Sequence, residues 1–184
     1  PILMSRIAGT EPFGWNGLKE DIDSHLQRTL ERLRGVGLKD HERAALVAYI
    51  GTMTPPNDDT LAGDTQTDAG AGPGGTTGAD DGRQALAKRG AELFHSDETG
   101  CASCHGGIGT DGLAHDVGSR HSRDMVATFD TPTLRHIGQS APYFHDGRYA
   151  TLEELLADPD SRMGHSSQLS ERDRSALGAY LRTL

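Results

Sequence analysis

Hydrophobic residues recur with helical spacing along much of the chain. Within residues 83–95 they fall at i, i+4, i+7 and i+8, which places them on one stripe of an α-helix: Leu86, Gly90, Leu93 and Phe94. No segment alternates between polar and apolar residues with a period of two, so the pattern predicts no sheet. The fold class that this predicts is all-α.

Polar residues mark where several of these helices begin and end. Thr151 and Glu154 form a capping box that opens a short helix, which should stop before Pro159. Ser170 with Asp173 opens the last helix. One face of that helix is apolar and consists of Leu177, Tyr180, Leu181 and Leu184. Two further helices are predicted near 18–34 and 40–53.

The composition is acidic and poor in core-forming residues. The 184 residues carry 27 acidic side chains against 18 Lys and Arg, a formal net charge of −9, which argues against binding to nucleic acid or to an anionic membrane. Hydrophobic residues make up only 34% of the chain and aromatic residues 5%, so the polypeptide alone would build a small hydrophobic core. An apolar group that is not an amino acid could complete this core. No apolar run is long enough to span a membrane, so the chain is predicted to be soluble. It starts at Pro1, without Met or a signal peptide, which predicts a processed or excised piece of a protein.

Residues 54–82 differ in composition from the rest of the chain. They are mostly Gly, Asp, Thr, Ala and Pro, with six Asp residues and no basic residue before Arg83. Neither the spacing of a calcium-binding loop nor a nonapeptide repeat is present. The segment is therefore predicted to be a solvated acidic linker.

An internal repeat lies on either side of this linker. Residues 12–17 resemble residues 142–147, and residues 38–50 resemble residues 169–181, all at an offset of 130 to 131 residues. The first residues, Pro1-Ile2-Leu3, align with Pro132-Thr133-Leu134 at the same offset. A fixed offset indicates one structural unit present twice, but the part before Pro132 has no counterpart. The repeat predicts a complete domain at 83–184 and the latter half of a similar domain at 1–53.

The chain has two cysteines, both in the motif Cys101-Ala102-Ser103-Cys104-His105. A structural zinc site would need four ligands, and a thioredoxin-like pair would need a βαβ unit, so neither fits. In C-x-x-C-H, two thiols three residues apart reach the two vinyl groups of one porphyrin, and the His ligates the iron. The motif predicts one covalent haem c, held by Cys101, Cys104 and His105, and this haem would also fill the thin core.

The other axial ligand of the iron must come from elsewhere in the chain. Met163 lies 58 residues after His105, in a Gly, Ser and Asp-rich loop between two predicted helices, where a Met has little core to fill. We therefore favour Met163 as the second axial ligand. The alternatives are its neighbour His165, Met125, and the remaining thioethers Met4 and Met53.

Three further motifs carry a family resemblance. The segments 129–135 (Phe-Asp-Thr-Pro-Thr-Leu-Arg), 141–147 (Ala-Pro-Tyr-Phe-His-Asp-Gly) and 151–154 (Thr-Leu-Glu-Glu) resemble the C-terminal haem domain of bacterial di-haem cytochrome c peroxidases and MauG-like proteins. The resemblance covers residues 83–184 and implies a class I cytochrome c fold. It also implies a high-potential His/Met haem, with its Met just after the helix that follows the His-Asp-Gly turn, where Met163 stands.

This chain also departs from that family. Residues 1–53 resemble the latter half of the other haem domain but contain no C-x-x-C-H, so the family's peroxidatic centre cannot be carried over and no catalytic residue is assigned. Arg135 is a candidate partner for a haem propionate, with a packing role as the alternative. Tyr143 and His145 are expected to hold the turn near the haem edge, where the first copy has Trp15 in place of His145.

These observations favour a c-type cytochrome module that carries single electrons through one His/Met haem. The alternatives are the electron-transfer part of a di-haem peroxidase or MauG-like oxidase whose catalytic haem lies outside this chain, and a docking module. The expected partners are a redox protein or another haem domain. Residues 1–53 would pack against the haem domain, a second copy or an upstream segment. Covalent haem attachment predicts a bacterial periplasmic or extracellular location.

Overall fold

The computed structural model describes residue 7 and the ranges 9–53, 77–106, 109–159 and 163–184. Pro1-Ile2-Leu3, Met4 and most of the predicted linker, residues 54–76, lie outside the described residues. Within these described ranges, five α-helices dominate, together with two short strands and two 3-10 turns at Cys101–Ser103 and Ile137–Gln139. In chain order they are α1 (Ile22–Arg32), α2 (Asp40–Gly51), α3 (Thr77–Phe94), β1 (Ala114–His115), β2 (Phe129–Asp130), α4 (Leu152–Ala157) and α5 (Glu171–Leu181).

The helix starts predicted from the polar residues are confirmed. The Thr151 hydroxyl accepts the Glu154 backbone N–H at 3.1 Å, and the Glu154 carboxylate accepts the Thr151 N–H at 3.2 Å. The Ser170 hydroxyl accepts the Asp173 N–H at the start of α5. The start predicted for α3 was wrong, because this helix begins at Thr77, within the segment assigned to the linker. An acidic residue in the first turns of a helix is favourable, so Asp81 is compatible with this start.

The expectation that the fold has no sheet was also wrong, although only marginally. Strands β1 and β2 pair antiparallel, with Ala114 opposite Asp130 and His115 opposite Phe129. Each strand has two residues, which is too short for an alternating pattern to be visible in the sequence. The fold class remains that of a helical protein.

The core of the C-terminal domain forms where α3 crosses α5. A Cβ atom at Gly90 would overlap the backbone carbonyl of Ala176, so the two helices touch backbone to backbone at this point. Ala176 and Leu177 are completely buried, and Leu93 and Phe94 are nearly so. At the edge of the contact, Arg89 pairs with Asp173 at 3.0 Å. The apolar stripe predicted for α3 therefore faces the core, as expected from its spacing.

The repeated sequence folds into the same local structure in both copies. Phe13 pairs with Lys19 in an isolated antiparallel bridge, and Tyr143 pairs with Tyr149 in the same way. Each turn has positive φ at the same two positions, Gly14 at +88° and Gly17 at +62° in the first copy, and Phe144 at +71° and Gly147 at +69° in the second. A helix follows each turn, α1 in the first copy and α4 in the second.

The first copy contacts the C-terminal domain through its turn. The Asp130 N–H donates to the Trp15 carbonyl at 2.9 Å. The Trp15 ring lies 6.3 Å from the His145 ring, which stacks on Phe129 at 3.9 Å. His145 also hydrogen-bonds the Asp124 carboxylate at 2.8 Å. Trp15 stands where the second copy has His145, and these two corresponding side chains contact each other.

The contact leaves one carboxylate poorly solvated. Among the residues that the structure describes, Oδ1 of Asp130 is the buried side-chain oxygen without a hydrogen-bond partner. Burial, followed by the charge of Asp111, raises the pKa of Asp130 to about 6. The folded state therefore favours the protonated form of Asp130. The stability that this form contributes is fully present below about pH 4 and is lost as the pH rises through about 6.

Replacing Gly90 by Ala should destabilise the protein, because the added methyl group has no room between α3 and α5. We expect a loss of about 1–3 kcal/mol in the free energy of unfolding, measured with urea. Gly82→Ala is the matched control, since it lies in the same helix with no neighbouring atom within 4 Å. It should be neutral or stabilising by about 0.5–1 kcal/mol. Equal effects of the two substitutions would contradict the close contact.

Asp130→Asn should stabilise the protein at pH 7.5, because the amide removes the cost of a partly buried charge. After discounting for partial solvation we expect about 1–2 kcal/mol, with a flatter dependence of stability on pH between 4 and 7. Trp15 is the only tryptophan in the chain and lies at this contact, so its fluorescence reports the transition directly. Asp97→Asn, at an exposed position, is the control for removing a negative charge and should leave the free energy of unfolding at pH 7.5 nearly unchanged. An unaltered profile in Asp130→Asn would show that this carboxylate is solvated.

Candidate haem site

The two cysteines lie on a short turn that follows α3. Gly100, at φ +66°, precedes the 3-10 turn Cys101–Ser103, and both thiols are free and half-buried. The preceding residue, Thr99, is completely buried and donates its hydroxyl to the Leu93 carbonyl at 2.5 Å. The turn is thereby fixed to the end of α3. Burial raises the pKa of the Cys101 thiol, so this group stays protonated at neutral pH.

His105 is oriented by a backbone carbonyl. Its Nδ1 lies 2.9 Å from the Gly109 carbonyl oxygen, which can only accept, so Nδ1 carries the hydrogen and Nε2 has the free lone pair. Burial lowers the pKa of His105, which keeps the imidazole neutral. A neutral imidazole whose other nitrogen is hydrogen-bonded is the form in which His binds a metal.

A cavity of about 310 Å³ adjoins His105. Its lining is largely aromatic and aliphatic, with Arg135 as the cationic member: Phe94, His95, His105, Gly109, Leu134, Arg135, Tyr180 and Leu184. The structure therefore brings the predicted residues His105 and Arg135 to one cavity. Gly109 makes this possible, since it has φ +89° and a Cβ there would lie 2.7 Å from the Leu134 backbone nitrogen.

The loop that carries Met163 lies against the cysteine turn. The His165 N–H donates to the Thr99 carbonyl at 3.0 Å. Gly164 has φ +77°, and a Cβ there would lie 2.5 Å from the same carbonyl oxygen and 3.3 Å from Sγ of Cys101. Met163 itself is half-buried. The residue after Met163 is thus in direct contact with the turn that bears the predicted haem attachment.

The rival axial ligands are placed less favourably. Met125 is 97% exposed, and His165 is also exposed. Met53 is half-buried just after α2, in the first copy of the repeat, and Met4 lies outside the described residues. The assignment of Met163 remains a prediction, with the position of its loop in its favour.

Tyr143 and His145 have hydrogen-bond partners within the protein. The Tyr143 hydroxyl lies 3.2 Å from the Ile137 carbonyl, and His145 bonds Asp124. Both side chains are buried or nearly so, in keeping with the expected role of holding the turn.

One group of potential ligands was not expected from the sequence. Sγ of Cys104, a carboxylate oxygen of Asp111 and a ring nitrogen of His115 lie within 4.8 Å of one another. Three such ligands resemble a zinc site in type, but Asp111 and His115 already bond each other at 2.7 Å. Haem attachment at Cys104 would consume the thiol, so this group and a thioether at Cys104 exclude each other. The four-residue spacing of Asp111 and His115 was the only signal in the sequence.

The residues present fit a haem c group by their chemistry. Two free thiols lie on one turn, a neutral imidazole adjoins a cavity lined by both apolar and polar side chains, and a thioether lies in a loop packed on the turn. Arg135, on the same cavity, is suited to a carboxylate.

Comparison with known proteins agrees with this chemistry. The family model for cytochrome c matches residues 87–184. The methylamine utilization protein MauG of Methylorubrum extorquens is 32% identical over 169 residues, which cover 78% of this chain and 44% of MauG. A cytochrome-c peroxidase from a Pseudomonas species is 32% identical over 145 residues, covering 53% of this chain and 39% of the relative. The chain spans less than half the length of each of these relatives.

Solved structures share the fold. A chain of Kuenenia stuttgartiensis hydrazine synthase matches with a TM-score of 0.73 at 21% identity, covering 98% of this chain and 70% of that one. A MauG-like protein associated with microbial copper homeostasis matches with a TM-score of 0.60 at 18% identity, covering 92% of this chain and 68% of that chain.

None of the helices among the described residues is long and apolar enough to cross a membrane. A cytochrome c domain implies haem c as cofactor, and the chain's relatives include both MauG and peroxidases. With its motif, its helical fold and more than half its length matched, the chain belongs to the cytochrome c family and is MauG-like.

Proposed function

We propose that this protein is a c-type cytochrome that carries single electrons through one haem c. The haem would be attached covalently at Cys101 and Cys104 and ligated axially by His105 and Met163. The observation that carries the proposal is the packing of Gly164 on the Thr99 carbonyl and on Sγ of Cys101, because it ties the Met163 loop to the attachment turn.

When bound, haem c supplies a one-electron Fe(III)/Fe(II) couple. The chain's own contribution is to hold its ligands in place. The Gly109 carbonyl keeps the His105 lone pair on Nε2, and Thr99 fixes the attachment turn to α3. An iron held by both His105 and Met163 would leave no ligand position for a substrate, which would suit electron transfer rather than bond-making.

The location and partner follow from this chemistry. Covalent attachment of haem c requires export and reduced thiols, so we propose a bacterial periplasmic or extracellular location. The partner would be a redox protein or another haem domain. The net charge of −9 makes nucleic acid an unfavourable partner.

A second function is favoured by the repeated local structure. The turns at residues 13–19 and 143–149 match, and each precedes a helix, so residues 9–53 have the features of the latter half of another haem domain. The chain could then be the electron-transfer part of a di-haem peroxidase or MauG-like oxidase. An intact mass with one haem and no peroxide turnover supports electron transfer alone, whereas turnover regained with a second haem-bearing segment supports the enzyme.

Met163→Ala should convert the haem from thioether ligation to an open or water-bound form. We expect loss of the weak near-infrared charge-transfer band of the oxidised protein, binding of carbon monoxide, and a midpoint potential lower by on the order of 100 mV. The potential falls because a soft thioether favours Fe(II). Met125→Ala, at a fully exposed position, is the control and should change neither spectrum nor potential. An unchanged Met163→Ala spectrum would transfer the assignment to His165 or another ligand.

Gly164→Ala should weaken thioether ligation without removing the ligand. The new methyl group would press on the Thr99 carbonyl and on Cys101, and it adds the strain of a positive φ. Gly37→Ala separates the two effects, because Gly37 has nearly the same φ, +79°, with no atom within 4 Å. We expect Gly37→Ala to lower only the free energy of unfolding, and Gly164→Ala also to reduce the charge-transfer band. Identical haem spectra in both variants would contradict the proposed contact between loop and turn.

A further inference from the structure

Three side chains of the types that bind metals meet beside the turn that carries the cysteines. Sγ of Cys104, one carboxylate oxygen of Asp111 and one ring nitrogen of His115 lie within 4.8 Å of one another. All three belong to the segment 104–115, so no distant part of the chain is needed to assemble the group.

Two of these three side chains are held in place by the backbone. The Asp111 carboxylate accepts the Leu113 N–H on Oδ1 at 3.0 Å and bonds Nε2 of His115 through Oδ2 at 2.7 Å. His115 lies on strand β1, where it pairs with Phe129 of β2. Since both side chains are already oriented, little ordering remains for a bound metal to impose.

A zinc ion can take the place of the hydrogen between Asp111 and His115 after a small movement. In the other tautomer of a neutral imidazole the hydrogen is on Nδ1, which leaves the Nε2 lone pair for a metal. Tetrahedral zinc with bonds of about 2.0–2.1 Å would set the oxygen and the nitrogen about 3.3 Å apart. The observed 2.7 Å must therefore widen by about 0.6 Å, which these partly exposed side chains allow.

The ligand types select the metal. A thiolate, an imidazole and a carboxylate are all ligands of zinc, whereas Ca²⁺ and Mg²⁺ prefer oxygen ligands alone. Asp111 and His115 are open to solvent, so water can supply the fourth ligand. Three protein ligands and a water describe an open zinc site, which differs from the closed four-ligand site of a structural zinc.

The other cysteine of the turn has different surroundings. Sγ of Cys101 lies 3.9 Å from the Thr99 carbonyl oxygen, and a Cβ at Gly164 would lie 3.3 Å from it. Cys101 thus faces the loop that carries Met163, whereas Cys104 faces Asp111 and His115. The two thiols of one turn are therefore not equivalent as metal ligands.

We propose that Cys104, Asp111 and His115 bind a zinc ion in the chain before haem is attached, so that zinc and haem compete for one sulfur. Zinc binding releases the thiol proton to water, because the thiolate is the ligand. Thioether formation adds the same sulfur and a proton across a vinyl group, with no net transfer of electrons, so zinc must leave first. The competition rests on the proposed function, whereas the zinc site does not.

The test measures zinc binding to the full chain made without haem, by competition with a chromophoric chelator and with Co²⁺ as a spectroscopic probe. We expect one zinc per chain and a thiolate-to-cobalt charge-transfer band, which Cys104→Ser should abolish. Asp111→Asn and His115→Gln should each weaken zinc binding by at least about tenfold. Asp116→Asn is the matched control, because Asp116 is also exposed and accepts a backbone N–H, that of Gly118 at 2.9 Å, but lies outside the group.

Cys101→Ser distinguishes this site from zinc held by the two thiols of the turn. The variant should keep its zinc, because Cys101 faces the other loop. Loss of zinc from Cys101→Ser would assign the metal to the pair of cysteines and overturn the proposal. Equal zinc affinities of Asp111→Asn and Asp116→Asn would also overturn it, since an unfolded chain would not distinguish these two carboxylates.

The holoprotein tests the competition. Attachment of haem at Cys104 should abolish zinc binding, and zinc added before haem should slow thioether formation, measured by intact mass, until a chelator removes it. Equal zinc affinity with and without haem would show that Cys104 is not a ligand and would reject the site. No zinc binding together with an intact His/Met spectrum would reject the zinc site alone. Zinc binding by a chain that never acquires haem would reject the proposed function alone.

Discussion

The crossing of α3 over α5 is the contact on which the candidate haem site depends. Gly90 lets the two backbones touch at Ala176, and this closeness buries Leu93 and Phe94 at the C-terminal end of α3. The same end holds the turn with Cys101 and Cys104, because the Leu93 carbonyl accepts the Thr99 hydroxyl. A chain with 5% aromatic residues has little other apolar surface from which to build this core, so the position of the turn follows from one helix contact.

Thr99 connects that contact to the opposite side of the site. Its hydroxyl reaches back to α3, and its carbonyl accepts the N–H of His165. Thr99 therefore fixes the turn with Cys101 through its side-chain hydroxyl and the loop with Met163 through its backbone carbonyl. Gly164 is needed beside it, both for its positive φ and because any side chain would collide with the Thr99 carbonyl. A short polar link of this kind fixes the Met163 loop to the short 3-10 turn at Cys101–Ser103.

The two copies of the repeat differ in what covers them, although their local structures agree. The bridge from Phe13 to Lys19 and the bridge from Tyr143 to Tyr149 form the same turn. In the second copy α5 is covered by α3 and contacted by α4, whereas α1 buries no residue and α2 buries Ile50. The local sequence specifies the turn and the helix positions in both copies, whereas burial depends on the helices that pack against them.

The sequence by itself determined the helical class, the caps at Thr151 and Ser170, the apolar stripe of α3, and the repeat, because each of these depends on residues close together in the chain. The C-x-x-C-H motif similarly indicated the haem chemistry through local spacing. Only the tertiary structure brought Gly164 to Cys101, Trp15 to His145 and Asp130, and Cys104 to Asp111 and His115. The orphaned oxygen of Asp130 and the exposed face of α2 likewise became visible only there. These features depend on which surfaces meet after the helices have formed, and neither periodicity nor motif spacing encodes the partners of a buried group.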